Sequence, residues 1–244
     1  MYFPTTHWSL LAEASLNGET NARSALDELC RRYWEPLRQF IRARGYSPAE
    51  AEDLTQGFFL HLLDKEAFRK PDRLRGRFRS FLLGALVKYL SHERERALAQ
   101  KRGGQQSHLS VDLIEESEGL SLPTEERGIA AFDRAWALTT VRAALEHVQR
   151  DYARAGKEAL FGVLREFLPG AQATPRYDEA AARVSMSLPA FNSESHRFRQ
   201  QFREALRAEV MATVSAPHEI QEEITQLYRV LMDRGTDFGP ARES

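Results

Sequence analysis

Cysteine is nearly absent: Cys30 stands alone in 244 residues. That excludes an internal disulfide framework and suits a reducing compartment. Cys30 falls on an apolar helical stripe, so it is expected to fill space rather than to act as a nucleophile. Long apolar runs are also missing, and no segment reaches the ~18 residues needed to span a bilayer. The opening residues Met1 to Trp8 lack the basic start and apolar centre of a signal peptide. The expected location is the cytoplasm, with no membrane partner. Alternating β-type stretches and internal repeats are lacking too.

The signatures of catalysis are equally thin. No Glu is followed by His three residues later, as a di-iron bundle requires, and His92-Glu93 lacks the second His of a zincin. Gly156-Lys157 has no upstream Gly of a phosphate loop, and there is no Gly-x-Ser-x-Gly elbow. The seven His are scattered. Glu50, Glu52 and Asp53 cluster where a helix begins, a placement that the helix dipole alone accounts for. No catalytic residue, metal ligand or cofactor is assigned.

What is present reads almost wholly as helix. Leu26, Leu29, Cys30, Tyr33, Leu37, Phe40 and Ile41 recur at three- and four-residue steps. Pro36 lies inside that pattern and is expected to kink it near Arg32. Ser47-Pro48-Ala49-Glu50 is a helix start with a cap, a first-turn Pro and a capping-box Glu. The next helix turns Leu54, Phe58, Leu62 and Leu63 inward. A third, from about Phe78 to Gln100, buries Phe81, Leu82, Ala85, Leu86, Tyr89 and Leu90. After Gly103-Gly104 the period lapses, and residues 109–126 hold six acids and no Lys or Arg. The expected architecture is all-α: two small helical domains, 1–102 and 132–208, joined by an acidic linker at 103–131 and followed by a helical extension at 209–244.

Two stretches carry chemistry. Between Arg69 and Arg102 eleven Lys/Arg stand against three acids, with Phe78, Phe81, Tyr89 and the upstream Phe68 threaded through them, in a chain whose net charge is only −1. Concentrated cation with interleaved rings suits nucleic-acid phosphates and unstacked bases. Further on, a short helical unit from Tyr177 to Val184, the turn Ser185-Met186-Ser187, and a long helix opening at Leu188 follow the helix-turn-helix plan. Phe191, Phe198, Phe202 and Leu206 repeat on one side of that helix. The other side offers Asn192, Ser193, His196, Arg197, Gln200 and Arg203, types that bond base edges and phosphates.

Taken in this order, the two stretches resemble bacterial RNA polymerase sigma factors of the sigma-70 family, extracytoplasmic-function group. Ala49 to Phe59 resembles the region-2 helix that docks on the polymerase clamp. Phe78 to Arg102 resembles the −10 melting and recognition helix, and Tyr177 to Leu206 resembles the region-4 helix-turn-helix. Phe3 to Trp8 and Arg31 to Trp34 look like one subgroup of these factors.

The resemblance implies core RNA polymerase (clamp and flap) and promoter DNA as partners, an anti-sigma factor as a further candidate partner, and no catalytic residues. It implies polymerase contacts at Asp53, Gln56 and Phe59. For the −10 element it implies Phe68, Arg75, Arg77, Phe78, Arg79, Lys88, His92, Arg94 and Arg96. For the −35 element it implies Pro189, Asn192, Ser193, His196, Arg197 and Gln200. Gly57 departs from the family pattern, where an acid is frequent, and Asn192 and Glu194 stand where Lys or Arg is usual. Two further readings are a free-standing helix-turn-helix regulator that binds duplex DNA without polymerase, and a helical enzyme acting on nucleotides or nucleic acid.

Overall fold

The structure, a computed structural model, describes residues 7–14, 19–64, 77–102, 124–168 and 175–232. It is all-helical, with no strand among the described residues. In chain order the helices are α1 (His7–Ala14), α2 (Glu19–Ala43), α3 (Pro48–Asp64), α4 (Phe78–Arg102), α5 (Thr124–Arg154), α6 (Glu158–Leu164), α7 (Tyr177–Arg183), α8 (Leu188–Met211) and α9 (Glu219–Met232), with a 3₁₀ turn at Arg165–Phe167. The chain divides into two compact units. One holds residues 1–139 with 211–222; the other holds 140–210 with 223–244.

In the first unit α1 packs on α2, α2 on α3 and α3 on α4. The α2 stripe behaves as its period requires: Leu29, Tyr33, Leu37, Phe40 and Ile41 are buried. The helix continues on both sides of Pro36, whose ring is buried within it. The capping box at the start of α3 is formed in both directions: Ser47 N–H donates to Glu50 Oε2 at 2.9 Å, and Glu50 N–H to Ser47 Oγ at 3.3 Å. Leu54, Phe58 and Leu62 then face inward, as do Leu82, Leu86, Tyr89 and Leu90 of α4. Rings fill the centre: Trp8 meets Phe78 edge-on at 5.0 Å, and Tyr33 lies 5.3 Å from Phe78.

Two glycines allow close approach here. A side chain on Gly57 would collide with the Tyr89 hydroxyl, and a Cβ on Gly128 would lie 2.9 Å from Phe40 Cε2. Gly57 thus lets the Tyr89 ring lie against α3, a benefit set against the ~1 kcal/mol propensity cost of a mid-helix glycine. The helical part of the expected acidic linker is also explained. α5 begins at Thr124, with Glu125 and Glu126 in its first turn, where acids favour the positive end of the dipole.

The second unit buries Ala144, Val148 and Tyr152 of α5, Leu160, Phe161, Val163 and Leu164 of α6, and Phe191, Phe198, Phe202 and Leu206 of α8. Tyr152, Phe161 and Phe198 form a ring cluster with centroids 5.9 to 6.1 Å apart. Gly156 ends α5 with φ +67 in a Schellman motif: its N–H reaches the Ala153 carbonyl at 2.9 Å, and Lys157 N–H reaches the Tyr152 carbonyl at 2.9 Å. Glycine adopts this backbone without strain, so the reversal into α6 is sharp.

Candidate nucleic-acid interface

The helix-turn-helix is built from the turn upward. α7 ends in a second Schellman motif, with Ser185 N–H on the Ala182 carbonyl (3.1 Å) and Met186 N–H on the Ala181 carbonyl (3.0 Å). Ser185 holds φ 54, a left-handed backbone for which glycine is the usual residue. Phe191 N–H then closes the first turn of α8 onto the Ser187 carbonyl at 2.9 Å. Phe167, Tyr177 and Phe191 lock the two helices together, with centroids 4.6 to 5.9 Å apart.

This packing fixes which side of α8 faces outward. Pro189, Asn192, Ser193, His196, Arg197 and Gln200 are all exposed, as are Arg199, Arg203 and Arg207. Ser193 Oγ donates to the Pro189 carbonyl at 3.1 Å, Gln200 Nε2 to Glu204 Oε1 at 3.1 Å, and Arg199 to the Tyr177 hydroxyl. Glu194, which stands with Asn192 where the family pattern has Lys or Arg, is not a groove residue. It is buried on the opposite side, accepting from Tyr152 Oη (3.4 Å), Lys157 Nζ (3.3 Å) and Arg197 Nη1 (2.6 Å). Burial, reinforced by the Glu194 carboxylate, holds the Tyr152 hydroxyl above its ordinary range.

On α4 the structure sorts the expected −10 residues into two groups. Lys88, His92, Arg94 and Arg96 are exposed, and Arg96 Nη1 bonds Glu93 Oε1 at 2.7 Å. Phe78 and Arg79 are instead core residues. Phe78 is fully buried in the ring cluster. Arg79 Nη1 donates to Asp133 Oδ1 at 2.5 Å, and its guanidinium lies 4.8 Å from the centre of the Trp136 ring. Side-chain exposures of 10 % and 13 % for the pair leave Arg79 no route to a phosphate. Its arginine neighbours do not reveal this, because the partner is 54 residues away.

Arg77 is half-buried and donates to Glu222 Oε2 at 2.8 Å. The segment 211–222 reaches the same place through its backbone. His7 N–H donates to the Ala212 carbonyl at 2.9 Å and Phe78 N–H to the Thr213 carbonyl at 3.0 Å, so consecutive carbonyls satisfy the first residues of α1 and α4. Phe68 and Arg75 lie outside the described residues.

On α3, Asp53 and Gln56 share an exposed face, but Phe59 does not join them. It is 5 % exposed and stacks on Trp34 with ring centres 6.0 Å apart. The next residue, Leu60, takes the outward position at 60 % exposure. Accumulated angle is the signal that finds it: Leu60 lies nearly two full turns beyond Asp53 and so returns to its face, whereas Phe59 falls about 100° short of Leu60.

Among the described residues no group of three or more His, Cys, Asp or Glu is placed to hold a metal ion. No helix among them is long and apolar enough to cross a membrane. Compared with protein-family models, curated proteins and solved structures, the chain matches none.

Proposed function

We propose that this chain is a promoter-specificity subunit of bacterial RNA polymerase, a cytoplasmic sigma factor of the extracytoplasmic-function group. It binds core enzyme and directs it to −10 and −35 promoter elements. The observation that carries the reading is the α7–turn–α8 unit. Six polar or first-turn residues expected to face the −35 element all lie exposed on α8, opposite a buried phenylalanine stripe. The exposed cations of α4 support a second DNA contact, through Lys88, His92, Arg94 and Arg96. The Asp53, Gln56 and Leu60 face of α3 supports docking on the polymerase, the exposed leucine adding apolar area to two polar contacts.

Genomic run-off transcription with core polymerase, with and without the full chain, tests the reading. New discrete start sites that vanish with Asn192→Ala plus His196→Ala support it. Sequence-specific duplex binding by the chain alone, with no polymerase-dependent start sites, would instead identify a free-standing regulator.

A further inference from the structure

Glu194 and Arg197 are three residues apart on α8 and face different surroundings. Their side-chain exposures are 9 % and 60 %. Tyr152, at the end of α5, and Lys157, just before α6, hold Glu194 Oε1 from outside α8. Lys157 is placed by the Gly156 turn. The carboxylate is therefore anchored to the scaffold of the unit, and Oε2 is turned to the Arg197 guanidinium at 2.6 Å. A carboxylate this buried is tolerated only when its charge is matched, and here two cations and a hydroxyl do so. Arg197 is the partner on the exposed α8 face.

We propose that Glu194 is a positioning residue that holds Arg197 as a fixed fork toward the major groove, making Arg197 a specificity-determining contact to guanine. The inference rests on the helix-turn-helix reading above. A guanidinium presents donors in a rigid plane that matches guanine O6 and N7, and fixing it in advance favours base reading over a roaming phosphate contact. Because Glu194 offsets its charge, Arg197 contributes more to base discrimination than to the salt dependence of binding. Arg203 and Arg207, exposed on the same helix, have the opposite expected balance.

The test is selection from a randomised duplex library by polymerase holoenzyme assembled with the full chain. Base preferences are compared for the native protein, Glu194→Gln, Arg197→Ala and the double variant. Glu194→Gln is expected to lower discrimination for guanine at one position about tenfold. Arg197→Ala should lower it at the same position, and the double variant should be no worse than Arg197→Ala alone. The salt slope should steepen by about one phosphate contact in Glu194→Gln, because the guanidinium is no longer offset or held away from the backbone.

Native-like discrimination in Glu194→Gln overturns the proposal, as does additive loss in the double variant. If Glu194→Gln fails to fold by circular dichroism, Lys157→Met loosens the anchor from outside α8 and should weaken the same preference. A native holoenzyme that selects no sequence refutes the promoter-reading function itself, and with it this inference. Native selection with an indifferent Glu194→Gln refutes only the positioning role.

Discussion

Replacing Asp133 by Ala should destabilise the first unit severely while leaving every exposed cation in place. The Arg79 guanidinium is 10 % exposed and sits between the Asp133 carboxylate at 2.5 Å and the Trp136 ring at 4.8 Å. Removing the acid breaks a buried ion pair of Arg79, a change that costs about 3–5 kcal/mol. In a unit of about 150 residues, that corresponds to a fall in Tm of roughly 6–20 °C. The reverse change, replacing both partners by apolar residues of similar volume, should be nearly neutral, because the desolvation cost disappears with the charges.

Tryptophan fluorescence is a suitable probe. All three tryptophans, Trp8, Trp34 and Trp136, belong to this unit, so the signal reports its unfolding alone. Urea titrations of the native protein, Asp133→Ala and Arg79→Leu with Asp133→Leu give the comparison. A loss below about 1 kcal/mol in Asp133→Ala, the range of an exposed pair, would refute the buried role of Arg79 and return it to the DNA-facing set.

Other perturbations follow from the same geometry. Gly57→Ala should destabilise by about 1–3 kcal/mol through its collision with the Tyr89 hydroxyl; adding Tyr89→Phe should restore native stability or exceed it, and equal losses in both would contradict the packing. Burial, reinforced by Arg32, lowers His7 from 6.5 to about 3. The native imidazole stays neutral where the unfolded one takes a proton, so stability falls as pH drops from about 6.5 toward 3. The slope reaches up to about 1.4 kcal/mol per pH unit. His7→Gln should flatten that slope in urea titrations at pH 5 and 7, and an unchanged slope would place the proton elsewhere. Asp53→Ala with Gln56→Ala and Leu60→Ala should reduce co-purification with core polymerase at least tenfold with Tm nearly unchanged; a native yield would show that this face is not the docking surface.

The parts legible in the sequence are those set by local rules. The capping box at Ser47 and Glu50, the α2 stripe and the phenylalanine side of α8 are all found where spacing puts them, because each depends on residues within a turn or two. The misread residues depend on partners far along the chain. Arg79 reads as one more cation until Asp133 lies against it, and Glu194 reads as a groove residue until Tyr152 and Lys157 draw it inward. Gly57 reads as a plain cost without the Tyr89 hydroxyl, and the start of α5 is hidden because small Gly128 meets Phe40. Phe59 and Leu60 exchange roles by a single position, an angular step of one residue that composition does not resolve.

The central claim is that this chain acts through RNA polymerase, and the most direct measurement is its co-purification with core enzyme at defined stoichiometry. The account predicts a one-to-one complex that survives gel filtration and initiates at new start sites. A chain that elutes alone, with no polymerase bound at micromolar concentrations of both, would contradict it.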